Sequence, residues 1–254
     1  MKLNKIICTL SIAASIFTGC QKEISPNGSS DNNNNNNSDT LAFDPNGNIV
    51  VGNDADRARY SIISRVYNDN SSTVYDDVNF AFAWFGSAAA LKDAGDVTVN
   101  EFALTNFGGF NYYNCIGFDS LFYGNEARWQ VAGNSANAIA GFSHTDNIPF
   151  PTGGDFTLPE RINITQNFTI NYTPISNAYG IVYSVRGNKG QKNKAVLGGG
   201  SSVTFTAAEL SEAAFANDAI AFSIMPLALA PASYNGKKYY FVKQFQYARE
   251  TKTF

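Results

Sequence analysis

Cysteine is scarce in this chain, with Cys8, Cys20 and Cys115 the only three in 254 residues. A disulfide framework of the kind that staples small secreted domains is therefore excluded, and core packing must hold the fold. Histidine occurs once, as His144, with neither a second histidine nor a cysteine cluster beside it to complete a zinc or copper site. Lysine and arginine total 18 against 21 acids and form no basic run, which disfavours a nucleic-acid surface, since phosphates are met by clustered cations. No Gly-x-Ser-x-Gly elbow presents a serine nucleophile. The triple glycine Gly198-Gly199-Gly200 is followed by neither Gly-Lys-Ser nor Gly-Lys-Thr, so it reads as a loop and not as a phosphate cradle. Long apolar runs are missing too: the stretch from Ile6 to Phe17 makes about 18 Å of helix, well short of a ~30 Å hydrocarbon core.

That short run has the flanks of an export signal. Lys2 and Lys5 precede it, and Thr18 and Gly19 follow it ahead of Cys20, giving a charged region, an apolar region and small residues before a cut site. Phe17-Thr18-Gly19-Cys20 resembles the lipobox of bacterial lipoproteins, with Phe17 where leucine is more usual. The resemblance implies removal of residues 1–19, a thioether from Cys20 to diacylglycerol and acylation of the new α-amine. At about 0.8 kcal/mol per buried CH2, several acyl chains together anchor a protein for good. Gln21-Lys22-Glu23 is similar to the short signals of Bacteroidota lipoproteins that lead to the outer face of the outer membrane. The expected address is therefore the outer membrane, held through the N-terminal lipid and facing the cell surface, with the periplasmic face as the alternative. The resemblance is confined to the signal and stub and says nothing of the body.

Loss of Lys2 and Lys5 leaves 16 cations against 21 acids, a net charge near −5. It also leaves only Cys20 and Cys115, and with Cys20 committed to lipid, Cys115 has no disulfide partner. From Ser25 to Thr40 the chain carries Pro26, Gly28, several serines and the run Asn32 to Asn37, with no large apolar side chain. Such a segment buries too little surface to offset chain entropy, and residues 20–40 are expected to be a lipidated stub and flexible tether. As a coil, about 16 residues reach roughly 20 to 25 Å, enough to hold a body clear of the headgroups.

Beyond residue 41 the hydrophobic pattern takes a period of two. Val78, Phe80, Phe82 and Trp84 alternate with Asn79, Ala81 and Ala83, while Ala127, Trp129 and Val131 alternate with Arg128 and Gln130. The same rhythm returns at Phe168-Ile170-Tyr172, Tyr179-Ile181-Tyr183-Val185, Ile220-Phe222-Ile224 and Tyr239-Phe241, continuing to Phe245 and Tyr247. Half-buried strands have this pattern, and many short strands separated by turn residues mean a sandwich or barrel. The expected fold is all-β, with two tandem antiparallel β-sandwich domains spanning 41–150 and 155–254 on either side of Pro149-Phe150-Pro151-Thr152-Gly153-Gly154. The second resembles immunoglobulin-like or fibronectin-like modules in size and strand rhythm only. One short helix is expected near 207–215, opened by a capping box at Thr206 and Glu209.

Few residues suggest chemistry. His144 with Asp146 would be a base or a metal ligand, but a loop histidine is the plainer reading. The acidic pairs Asp54 with Asp56, Asp76-Asp77 and Asp93 with Asp96 fall at turns, where aspartate caps its own backbone. Asp44-Pro45-Asn46-Gly47-Asn48 carries too few carboxylates for a calcium loop. No metal and no cofactor are expected. Aromatics are the richest feature, and Tyr112, Tyr113 and Trp129 are named as ligand-binding candidates, because tyrosine and tryptophan with one wet edge suit sugar stacking and protein contact. In Tyr112-Tyr113, as in Tyr239-Tyr240, adjacent strand residues point to opposite faces, so one of each pair is a candidate for solvent. Asp39-Thr40-Leu41 and Asp119-Ser120-Leu121 look like the O-glycosylation acceptor of Bacteroidota, marking Thr40 and Ser120. The leading expectation is a non-enzymatic binding or adhesion module for a glycan or protein ligand. A structural subunit of an outer-membrane or filament complex is the alternative, and an acid-based hydrolase the third reading.

Overall fold

Asn235 and Gly236 separate two long runs rich in apolar and aromatic residues, the strongest short-range hairpin signal a sequence offers. Both residues take positive φ, 49° and 74°, as a two-residue turn between antiparallel strands requires. The strands they join are Ala219–Tyr234 and Lys237–Thr253, 16 and 17 residues long, paired from Ala219↔Lys252 to Tyr234↔Lys237. The rest of the fold is arranged around this hairpin in a computed structural model that describes residues 42–43, 49–50, 61–70, 73–74, 78–83, 85–87, 90–106, 112–116 and 126–254.

The hairpin is the middle of a 10-stranded sheet. On one side of it lie Ser61–Asn70, Val78–Ala83, Tyr112–Ile116 and Thr105–Asn106; on the other lie Gly180–Gly187 and Gln191–Leu197. The short pieces Thr73–Val74 and Arg161–Ile162 attach to Ser61–Asn70 and to the last strand. Val97–Val99, Phe102–Ala103, Ala127–Val131 and Phe142–Asp146 form a separate 4-stranded sheet, and Phe168–Asn171 pairs with Ser202–Phe205. The all-β architecture is as expected, with one correction: Phe241–Ala248 runs parallel to Ser61–Asn68, and Arg161–Ile162 runs parallel to Lys252–Thr253. Both parallel contacts join segments distant in sequence, so no tight turn constrains their direction.

Two apolar cores form between these layers. In the first, Ala81, Ala83, Tyr112, Tyr239 and Phe241 of the large sheet meet Val97, Val99, Ala127, Trp129 and Val131 of the 4-stranded sheet. In the second, Ile181, Tyr183, Val185, Ile220, Phe222 and Ile224 lie under Ile170, Val203 and Phe205 and under Leu210 of the helix. Each is sheet packed on sheet, and each buried large side chain contributes roughly 1.5–3 kcal/mol. Before residue 219 the chain serves the two cores in turn, changing over between Phe150 and Phe156; the terminal hairpin serves both.

The period of two is visible in Ala127–Val131, where Ala127, Trp129 and Val131 are buried and Arg128 and Gln130 exposed. In Val78–Ala83 it is the small residues Ala81 and Ala83, at 0% and 1% exposure, that face the first core. Phe85, packed edge-on to both Tyr112 and Tyr239, supplies bulk in that core. Tyr239 and Tyr240 are both buried, so neither faces solvent, and both faces of the last strand are covered there.

The helix spans Ala207–Ala213, with the capping box formed: the Glu209 N–H donates to Thr206 Oγ1, and the Thr206 N–H to Glu209 Oε2. It stops two residues before the expected Phe215. Ala214 turns to extended backbone, and the Ala213 carbonyl accepts from the N–H groups of Lys189 and Gly190 in the neighbouring hairpin.

Candidate functional site

Side chains alternate across a strand, so Phe142, His144 and Asp146 look inward from the 4-stranded sheet, while Ser143 and Thr145 are exposed. His144 is therefore a strand residue and not a loop residue. It lies directly opposite Trp129 in the register, and both rings meet Phe241 of the last strand, His144 stacked at 3.7 Å and 16°, Trp129 tilted at 6.2 Å. Phe142 stacks on Tyr234 at 4.5 Å, and the Tyr234 hydroxyl lies 2.8 Å from His144 Nδ1.

Two residues beyond Phe241 on the same face comes Lys243. Its side chain and that of Asp146 are 0% and 1% exposed, with Nζ 3.6 Å from Oδ2. The ammonium donates to the backbone carbonyls of Asp146, at 3.1 Å, and Ile148, at 2.6 Å, and sits 5.6 Å from the centre of the Phe150 ring. Asp146 Oδ1 accepts from the Ile148 N–H at 2.9 Å, closing a turn at the strand end. Burial pushes the Asp146 carboxyl up and the Lys243 amine down, in each case toward the neutral form, against the attraction of the opposite charge. Burial also lowers the His144 pKa, with Lys243 adding to the effect and Asp146 opposing it. Trp129 Nε1, His144 Nε2 and Asp146 Oδ2 are buried without a hydrogen-bond partner among the described residues. The interface between the sheets thus holds an amine, a carboxyl and an imidazole in an aromatic surround.

The candidates read from sequence are distributed differently. Tyr112 and Trp129 are 3% and 2% exposed, so neither offers a face on which a ligand can stack. The Tyr112 hydroxyl instead donates to Asp93 Oδ1 at 2.7 Å and accepts from the Ala94 N–H at 2.9 Å, and burial together with the Asp93 bond pushes its pKa up to about 12. Tyr113 pairs in its strand with Phe82 and Thr105. The side chain of Tyr113 lies outside the described residues, as do Cys20, Gln21, Lys22, Glu23, Thr40, Ser120, Asp44, Asp54, Asp56, Asp76 and Asp77. Asp93 acts as a turn residue, its carboxylate taken up by Tyr112, the Gly95 N–H and the Asn134 amide. Asp96 lines a shallow depression of about 450 Å³ on the outer face of the 4-stranded sheet with Thr98, Gln130 and Ser143. Among the described residues no group of three or more His, Cys, Asp and Glu comes together as a metal site would require.

Sequence reasoning missed Lys243. The signal was present: in Tyr239, Phe241, Lys243, Phe245 and Tyr247 a lone lysine occupies the apolar phase of a strand.

No family model matches this chain, and no curated protein matches it. Among solved structures it is similar to DIP-gamma IG1+IG2, at 9% identity and a TM-score of 0.19, over 74% of this chain and 94% of that one. A likeness of that size carries no argument, and the β-sandwich assignment rests on the strand pairings and cores described above.

Proposed function

We propose that this chain is a lipid-anchored outer-membrane lipoprotein whose β body, held off the membrane by its tether, binds a protein partner without chemistry of its own. The observation that supports the reading is the order of parts: a cysteine in a lipobox-like setting, an acid-and-lysine stub and an apolar-free spacer ahead of a body built from packed sheets. A spacer of that composition lets a body reach past the headgroups. A protein ligand is favoured over a glycan because Tyr112 and Trp129, the aromatics proposed for sugar stacking, are consumed in the core. The acid-based hydrolase reading loses support at Asp93, whose two carboxylate oxygens already accept three hydrogen bonds from the protein. As an assembly subunit, the same body would dock permanently in a complex.

Protease treatment of intact and lysed cells, followed by blotting for the body, tests the address, with Cys20→Ser as the unanchored control. Cleavage on intact cells is expected; protection until lysis would place the partner in the periplasm. Chemical cross-linking on intact cells then separates transient binding from assembly, since a subunit gives one stoichiometric adduct that survives mild detergent. Retention on immobilised glycans without any protein adduct would overturn the protein-ligand reading.

A further inference from the structure

The Lys243–Asp146 pair is placed for more than an ion pair. It bridges the two layers of the first sandwich, with Asp146 ending a strand of the 4-stranded sheet and Lys243 in the middle strand of the large one. An amine and a carboxyl 3.6 Å apart, both closed off from solvent, are close to bonding contact without diffusion. Reactants held this way reach effective concentrations on the order of 10⁵–10⁸ M when well oriented. The surroundings favour the product as well. Two buried ions must be stabilised at a cost of several kcal/mol each, whereas a neutral amide carries no such penalty, and an aromatic, water-poor interface opposes hydrolysis.

We propose that Lys243 and Asp146 become joined by an intramolecular amide bond that ties the 4-stranded sheet to the terminal hairpin. The reacting forms are the free amine and the protonated acid, toward which burial moves both groups. The Nζ lone pair adds to Cγ of Asp146, forming the C–N bond. One Nζ proton is transferred to the departing oxygen, the C–O bond breaks and water leaves. Nothing is oxidised or reduced, and no co-reactant is consumed. His144 is the proton carrier within reach: it sits two residues from Asp146 on the same strand face, with Nε2 lacking a hydrogen-bond partner among the described residues and Nδ1 fixed by Tyr234. The product keeps one N–H, which continues to donate to the Ile148 carbonyl, the shorter of the two present contacts.

Trypsin reads the bond directly, because it does not cut after an acylated lysine. The full chain is extracted from membranes in detergent, denatured, digested and analysed by tandem mass spectrometry. Residues 129–161 contain Asp146 with no internal lysine or arginine, and residues 239–249 contain Lys243 as their only internal one. The expected species is these two peptides linked, lighter by one water than their sum. Recovery of 129–161 at its free mass, with cleavage after Lys243, overturns the proposal on the wild-type chain alone, whatever the variants do. Lys243→Met must abolish the linked species; its persistence would equally overturn the assignment to Lys243.

Discussion

Tyr112 shows how a residue eligible for binding becomes a structural tie. Its hydroxyl joins the Asp93 carboxylate to the Ala94 N–H, so Tyr112→Phe removes two hydrogen bonds and leaves a buried donor unsatisfied. A loss of about 1–3 kcal/mol is expected in urea denaturation. The same bond sets a pH dependence. The Tyr112 hydroxyl first, then the Gly95 N–H and the Asn134 amide, hold the Asp93 carboxyl below its usual range. A depressed folded pKa contributes stability that is fully present above the unfolded value of about 3.9 and is lost as pH falls through the folded one. Stability followed against pH should therefore decline more gently on the acid side in Tyr112→Phe than in the wild type; an unchanged acid limb would remove Asp93 from the account. Alternation in the sequence shows that Tyr112 and Tyr113 face opposite ways. It does not show which way is in, because that depends on a second sheet brought over the first from elsewhere in the chain. For Trp129 the polar neighbours Arg128 and Gln130 point to an inward face, against its selection as a ligand-binding aromatic, and the structure buries it. The apolar phase marks Lys243 as inward too, but it gives no hint of the carboxyl 97 residues earlier that meets it.

At the scale of the element, local chemistry is legible where both partners are neighbours in sequence. The capping box at Thr206 and Glu209 forms as read, and Thr206→Ala is expected to cost about 1 kcal/mol. The end of that helix was not legible, since it is set by the Lys189 and Gly190 N–H groups of a distant turn donating to the Ala213 carbonyl. Two glycines separate conformation from contact. Gly236 has positive φ with nothing within 4 Å of where a Cβ would stand, so Gly236→Ala meets only the left-handed backbone penalty, about 1–2 kcal/mol. Gly187 lies under the helix end, where a Cβ would fall 2.6 Å from the Ala213 carbonyl oxygen and 2.7 Å from the Ala214 Cβ. Gly187→Ala must therefore displace backbone. Thermal melts should rank Gly187→Ala as the more damaging of the two, and the reverse order would mean that the helix end yields more easily than the hairpin turn.

For the whole molecule, the decisive feature is the hairpin Ala219–Tyr234 and Lys237–Thr253. Tyr239 and Phe241 enter the first core, and Ile220, Phe222 and Ile224 enter the second, although Tyr239↔Ala232 and Ile220↔Thr251 belong to the same antiparallel register. A sequence read from left to right sees two β-rich halves divided near residue 150. It cannot see that the last 36 residues run back through both, nor that Phe241–Ala248 pairs in parallel with Ser61–Asn68, since no local pattern encodes a contact at that separation. The physical consequence is coupling: unravelling either core strips apolar cover from strands that the other core also uses. Phe222, fully buried against Phe168 and Phe205 in the second core, tests this when paired with Trp129 in the first. With Trp84→Phe as background, Trp129 is the only tryptophan and its fluorescence follows the first core alone. Phe222→Ala removes roughly 3–5 kcal/mol from the second core. If the hairpin couples the two, the Trp129 transition moves to lower denaturant and coincides with the far-ultraviolet circular dichroism transition, as a single cooperative unit demands. A Trp129 midpoint that stays in place while the circular dichroism transition splits would mean that the strands can fray in one core while holding in the other.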